Sequence, residues 1–74
     1  MTPAEKLLDA RDLEPPEPLE LTLAALDELQ PAQRLRLLLP REPYPLYGIL
    51  ERNGYRHETE FHPDGYFSIL IWRG

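Results

Sequence analysis

Nine prolines in 74 residues decide where regular structure can run, and three of them fall within four positions. The stretch LEPPEPLELTLAAL, residues 13–26, sets Pro15, Pro16 and Pro18 directly ahead of a leucine-rich helical pattern. Proline fixes φ and has no N–H, so it fits the first turn of a helix, where N–H groups lack intrahelical partners anyway. Pro16 and Pro18 therefore read as a rigid hinge that sets the angle at which the chain enters a helix. Beyond them Leu19, Leu23, Leu26 and Ala25 or Leu29 recur at helical spacing, with Glu20, Asp27 and Glu28 off the stripe. Glu17 and Glu20 lie in the first turn, where carboxylates complement the helix dipole, and Pro31 ends the segment.

The remaining prolines punctuate the rest of the chain. QRLRLLL, residues 33–39, alternates and then runs apolar, and Pro40 closes it. It is short for a globular helix and reads as a strand with Leu35, Leu37 and Leu39 facing inward. PYPLYGILERNG, residues 43–54, reads as a second helix with Pro45 in its first turn, Leu46, Ile49 and Leu50 as the buried stripe, and Asn53-Gly54 as the left-handed stop. Gly48 weakens that helix by roughly 1 kcal/mol relative to Ala, so close packing is expected there. In YRHETEFHPDGYFSILIW, Pro63-Asp64-Gly65 fits a type I turn with Gly65 left-handed, giving a bulged hairpin. That turn pairs His62 with Tyr66, Phe61 with Phe67 and Thr59 with Ile69. One face then carries Tyr55, His57, Thr59, Phe61, Phe67, Ile69 and Ile71 and reads as core. The other carries Arg56, Glu58, Glu60, His62, Tyr66, Ser68, Leu70 and Trp72 and reads as wet.

The start of the chain admits two readings. TPAE, residues 2–5, has the form of a capping box with Pro at the first helical position, which predicts a short helix over residues 2–10. A short strand at about residues 6–10 is the other. With the strand, the order is β-α-β-α-β-β, an α+β chain folded as a two-layer α/β sandwich. Right-handed crossovers place both helices on the same side of a mixed sheet.

Composition narrows the function. The chain is long enough for one domain, residues 1–74, and at this size folding buries only about 60% of the unfolded surface. It contains no cysteine, which excludes disulfides, thiolate metal sites, cysteine nucleophiles and persulfide carriage. The formal net charge is −5; residues 1–31 hold eight acids and two bases, so the acidity sits in the first half. That balance argues against non-specific nucleic-acid or anionic-membrane binding, both of which need cationic surface. No apolar run approaches ~20 residues, and MTPAEKLLDARD lacks the apolar core of a signal peptide, so a cytoplasmic protein is expected.

Several short motifs in order carry a resemblance. Leu8-Asp9-Ala10-Arg11-Asp12-Leu13, then Pro15-Pro16-Glu17-Pro18, then Glu42-Pro43-Tyr44-Pro45-Leu46, then Gly54-Tyr55 resemble the start, the two proline hinges and the GY step of the domain-of-unknown-function family numbered 2249. The first hinge also resembles the Cys-Pro-x-Pro motif of the TusA/SirA sulfur carriers: Pro16 and Pro18 match the two prolines and Pro15 stands where the thiol would be. The resemblance implies a first strand rather than a helix, and a four-stranded sheet in the order 1-2-4-3 with the fourth strand antiparallel to the others. It implies no activity. The family pattern places a His ahead of the second hinge; Arg41 stands there, so no histidine ligand carries over.

Candidate sites follow from the residues. The hinge positions Pro15, Pro16, Pro18, Arg41, Pro43 and Pro45 read as structural, since prolines remove N–H donors an anion would need and Glu17 and Glu20 repel one. No catalytic set emerges, because Thr59 and Ser68, the hydroxyls near a histidine, fall on opposite sheet faces; a non-enzyme is expected, without a cofactor. The outer sheet face would gather Arg34, Arg36, Leu38, Arg56, Tyr66, Leu70 and Trp72, a composition typical of binding hot spots, with Trp72 stacking on Arg56. It is the expected surface for a protein partner or for self-association, as an alternative to a merely solvated face. The expected function is a small non-catalytic binding module, acting through that face or the second hinge. The rival is a metal or haem carrier using His57, His62, Glu58 and Glu60, although same-face neighbours lie ~7 Å apart along a strand.

Overall fold

The computed structural model describes residues 5–74. The elements run β1 (Glu5–Asp9), α1 (Glu17–Asp27), β2 (Arg34–Leu39), α2 (Tyr44–Arg52), β3 (Tyr55–His62) and β4 (Tyr66–Arg73). The strands form one sheet ordered β1-β2-β4-β3, with β1 parallel to β2 and β4 antiparallel to both β2 and β3. The α+β class and the 1-2-4-3 order are those expected. Over residues 5–9 the strand reading holds: Lys6 and Leu8 point to the helix side, and the ladder continues from the Ala10 N–H to the Leu38 carbonyl at 3.0 Å. Met1 to Ala4, and with them most of the capping-box motif, lie outside the described residues. Among the described residues no helix is long and apolar enough to cross a membrane.

One core lies between the sheet and the helices. Leu35, Leu37 and Leu39 of β2 and Ile69 and Ile71 of β4 meet Leu26 of α1, Leu29 just beyond it, and Leu46 and Leu50 of α2. Both helices therefore cover the same face. The hairpin register is the expected one: His62 opposes Tyr66, Phe61 opposes Phe67 and Thr59 opposes Ile69. Gly65 has φ +95° and its N–H reaches the His62 carbonyl at 2.9 Å, which closes the turn. Gly54, at φ +77°, supplies the left-handed stop after α2.

The structure corrects four readings of the core. First, α1 buries Thr22 at 1% exposure and leaves Leu23 at 37%. Its inward stripe is Leu19, Thr22, Leu26 and Leu29, and the Thr22 hydroxyl is accommodated because it donates to the Pro18 carbonyl at 2.7 Å. The helix also ends at Asp27, before Pro31 could stop it. Second, Thr59 and Phe61 have core parity yet are exposed, Phe61 at 60%. The Tyr47 hydroxyl of α2 still reaches Thr59 Oγ1 at 2.6 Å, but the hairpin tip beyond it runs past the helical cover, and Phe61 rests on Phe67 with ring centroids 5.1 Å apart. Third, α2 spans Tyr44–Arg52 and buries Leu46 and Leu50, with Ile49 half-buried. Fourth, Gly48 makes no close approach: a Cβ there would meet nothing nearer than Arg52 Nη1 at 3.9 Å.

Gly48 therefore costs helix propensity without gaining contact. Gly48→Ala is expected to raise stability by about 0.5–1 kcal/mol, read from the urea midpoint at unchanged slope. A destabilised variant would mean that a neighbour packs against that α-carbon.

Candidate functional site

β1 and β2 are parallel and end at the same edge of the sheet, and each hands over to a helix through a proline hinge. The two hinges therefore stand side by side outside the carboxyl ends of adjacent strands, the position where open α/β sheets leave room for ligands. Between them lies a cleft of about 700 Å³. Its floor is Leu37, Leu39 and Leu46, all buried; one wall is Leu13, Pro15, Pro16, Pro18 and Leu19, and the other Pro40, Pro43 and Pro45. The Pro15–Pro16 peptide bond is cis. All six hinge residues singled out from the sequence, Pro15, Pro16, Pro18, Arg41, Pro43 and Pro45, line this one cleft.

The backbone N–H groups at the helix starts beside the cleft are largely engaged. The Glu17 N–H donates to the Glu14 carbonyl at 3.0 Å, the Glu20 N–H to Pro16 at 3.1 Å, and the Leu46 N–H to Pro43 at 2.9 Å. The Tyr44 N–H is taken by the Glu42 carbonyl at 3.1 Å. Thr22 is tied to Pro18, and among the described residues no buried side-chain nitrogen or oxygen lacks a partner. A helix start binds an anion through free N–H groups, and these starts offer few. Charge enters the lining at Glu14, Arg41 and Glu42. Glu42 accepts a hydrogen bond from the Tyr47 hydroxyl at 3.0 Å, and its carboxylate pushes the Tyr44 phenol above the usual tyrosine value. The Tyr47 phenol is pushed up mainly by burial. What the cleft can do chemically is hold apolar surface.

The outer sheet face assembles as the alternation implies, and several of its arginines are engaged within the domain, while Arg56, Glu58 and Glu60 stand exposed. Arg36 pairs with Glu5 at 3.1 Å, and Arg34 lies 5.0 Å from the Trp72 ring centre. The stack expected between Trp72 and Arg56 is thus made by Arg34. Arg56 opposes Trp72 in the β3–β4 register, but its side chain lies along Gly74. Arg11 sits 4.8 Å from the Tyr66 ring centre, and His62 stacks on the same ring at 4.4 Å. Leu38, Leu70 and Trp72 are half-buried, and Leu7 is 65% exposed. Ser68, read as wet, is buried at 2%, because its hydroxyl is hydrogen-bonded to His62 Nε2 at 2.8 Å. The sequence reading weighed Ser68 against Thr59 and missed this pair. The register held the signal: His62 opposes Tyr66 and Glu60 opposes Ser68, so His62 and Ser68 are diagonal neighbours on one face.

The four residues of the carrier alternative do not converge. His57 faces the helices and stacks on Tyr47 at 4.5 Å, whereas His62 lies on the outer face and Glu58 and Glu60 are exposed. Among the described residues no three His, Cys, Asp or Glu side chains gather as a metal ion would require.

Residues 7–73 match the family described as an uncharacterized conserved protein, DUF2249, and the chain belongs to that family. A search of curated proteins and a search of solved structures each found no match. The sulfur-carrier resemblance is not carried by these comparisons.

At the end of β1, the Asp9 carboxylate accepts hydrogen bonds from Arg11 Nε and Nη2 at 2.8 and 2.7 Å and from the Arg11 backbone N–H at 3.2 Å. The side-chain bonds, then the backbone bond, lower its pKa from 3.8 to about 2. Because the folded value lies below the ordinary one, the pair's contribution to stability is present above pH 3.8 and is lost as the pH falls through 2. Arg11→Ala is expected to return Asp9 toward 3.8 in a carboxyl-detected NMR titration. An unmoved Asp9 would place the cause elsewhere.

Proposed function

We propose that this DUF2249 chain is a small non-catalytic binding module whose ligand seat is the cleft between the two proline hinges. One observation carries the reading: a cleft of about 700 Å³ framed by six prolines and floored by three buried leucines. That volume falls within the ~300–1,000 Å³ of small-molecule and side-chain pockets. Proline walls are rigid before binding, so a ligand orders little of the protein when it enters. The lining supports binding rather than turnover. Its one hydroxyl, on Thr22, is committed to the Pro18 carbonyl. Transfer of sulfur through a thiol is closed to a chain without cysteine.

The outer face supports a second reading, docking of a partner or of a second copy, on the observation that Leu7 stands 65% exposed on the face that also carries the half-buried Leu70 and Trp72, with Arg36 between Leu7 and Leu70. Trp72→Ala is expected to preserve the fold, since Ile69 and Ile71 on the opposite face are untouched. It should weaken any association by about 2 kcal/mol or more, read by sedimentation across concentration. Association unchanged in that variant would remove Trp72 from the contact.

The cleft reading is tested with a neutral apolar dye. Nile red is expected to bind saturably and to shift the amide resonances of Leu19, Thr22, Arg41 and Leu46. Shifts centred on Leu70 and Trp72, or no saturable binding, would contradict the cleft as the seat.

A further inference from the structure

We infer that the occupant of the cleft is a short basic and apolar segment of a partner protein, with its apolar side chains in the cleft and its lysines or arginines over an acidic rim; this rests on the cleft being the ligand seat. The shape of the surface points to a polypeptide. A second, shallower depression of about 620 Å³ is lined by Asp12, Leu13, Glu14, Pro15, Pro16, Glu17 and Glu20. It shares Leu13, Glu14, Pro15 and Pro16 with the cleft, so the two form one surface wrapped around the first hinge. An elongated surface of this kind fits a stretch of polypeptide, one end apolar and the other charged, better than a single compact molecule.

Charge decides what that stretch must carry. Asp12, Glu14, Glu17 and Glu20 surround the shallow part, and Glu42 adds a fifth carboxylate on the cleft. The ion pairs of the described residues are Lys6–Glu28, Arg11–Asp9 and Arg36–Glu5, so these five carboxylates are spent on none of them. Arg41 is the single base on either lining. On the outer sheet face Arg34, Arg36 and Arg11 each meet an aromatic ring or a carboxylate of the domain itself, and the charges left over, Arg56, Glu58 and Glu60, are of both signs. Unpaired charge of one sign beside apolar surface selects a complementary partner and speeds encounter. The same carboxylates repel nucleic acid, anionic lipid and acidic peptides.

The hinge is also stiff, which limits how far it can adapt to another ligand. Pro15, Pro16 and Pro18 fix the backbone under the acidic rim, so the spacing between the apolar cleft and the carboxylates is set before binding. A partner segment matches it by placing its apolar residues next to its bases.

The test uses a fluorescein-labelled peptide with a Leu-Trp-Leu core flanked by paired lysines. Two controls go with it, one with glutamates in place of the lysines and one with serines in place of the core. Anisotropy is read on the wild-type chain and on the Asp12→Asn, Glu17→Gln, Glu20→Gln variant, whose three positions line the shallow depression and not the cleft and whose fold is checked by circular dichroism. The lysine peptide is expected to bind wild type and to lose about tenfold in affinity on the variant, and to weaken as salt is raised. Both control peptides should bind far more weakly, while Nile red should bind wild type and variant alike. Equal binding of the lysine and glutamate peptides, or a lysine peptide indifferent to the variant, would overturn the inference. So would a serine core that binds as well as the apolar one. If Nile red still seats in the cleft in those cases, the cleft reading stands and only the basic partner falls; if Nile red does not seat there, both fall.

Discussion

Two parallel strands cannot be joined by a tight turn, and the pairing of β1 with β2 is the constraint from which the rest of the structure follows. The chain must leave β1, cross the sheet and return, and α1 is that crossover. The same demand recurs at once. β2 and β3 both run antiparallel to β4, which lies between them, so α2 must also cross. Right-handed crossovers put both helices on one face, where Leu26, Leu29, Leu46 and Leu50 close over the leucines of β2 and the isoleucines of β4. Each crossover begins at the carboxyl end of a parallel strand, so the two hinge segments are brought together by topology. Prolines at both places then make a rigid-walled cleft of what would otherwise be two loops. A helix and its entry angle, read first as a matter of folding, thereby set the geometry of the candidate site.

Charge is distributed in keeping with this arrangement. The sequence concentrates acids in its first half, and the structure gathers several of them around the first hinge rather than scattering them over the surface. The sheet face turned away from the helices carries both signs, and three of its arginines are satisfied locally. Arg34 covers Trp72, Arg36 holds Glu5, and Arg11 holds Asp9 while lying over Tyr66. These contacts link β1, β2 and β4 across a face that no helix covers. They also occupy Arg34 and Arg36, two of the three arginines that made it look like a binding surface when only its composition was known, and leave Arg56 exposed.

Much of the fold was legible because its signals are periodic and local. Alternation in residues 33–39 gave the inward leucines, and Pro63-Asp64-Gly65 fixed the hairpin register to the residue, since turn type and binary pattern agreed. The six hinge residues could be picked out singly, but their convergence on one cleft could not, because it depends on two crossovers landing side by side. Periodicity also says which way a side chain points without saying what lies above it. Phe61 has the parity of Ile69 and Ile71 and remains exposed, because the helices end short of the hairpin tip. Ser68 has the parity of a wet residue and is buried under its own neighbours, with His62 satisfying its hydroxyl. In α1 the leucines misled by one position: a threonine that can return its hydroxyl to the backbone four residues earlier took the inward place, and Leu23 turned outward. The choice between Arg34 and Arg56 for Trp72 rested on which cation had a competing contact, and that is a three-dimensional fact.

The central claim is that the two hinges enclose a preformed apolar seat. The most direct measurement is a set of intermolecular nuclear Overhauser contacts between a small neutral aromatic, toluene, and the methyl groups of the isotopically labelled chain. The account predicts contacts to the methyls of Leu37, Leu39 and Leu46, the floor of the cleft. Contacts to Leu7 and Leu70 on the opposite sheet face, with none to the floor leucines, would contradict it.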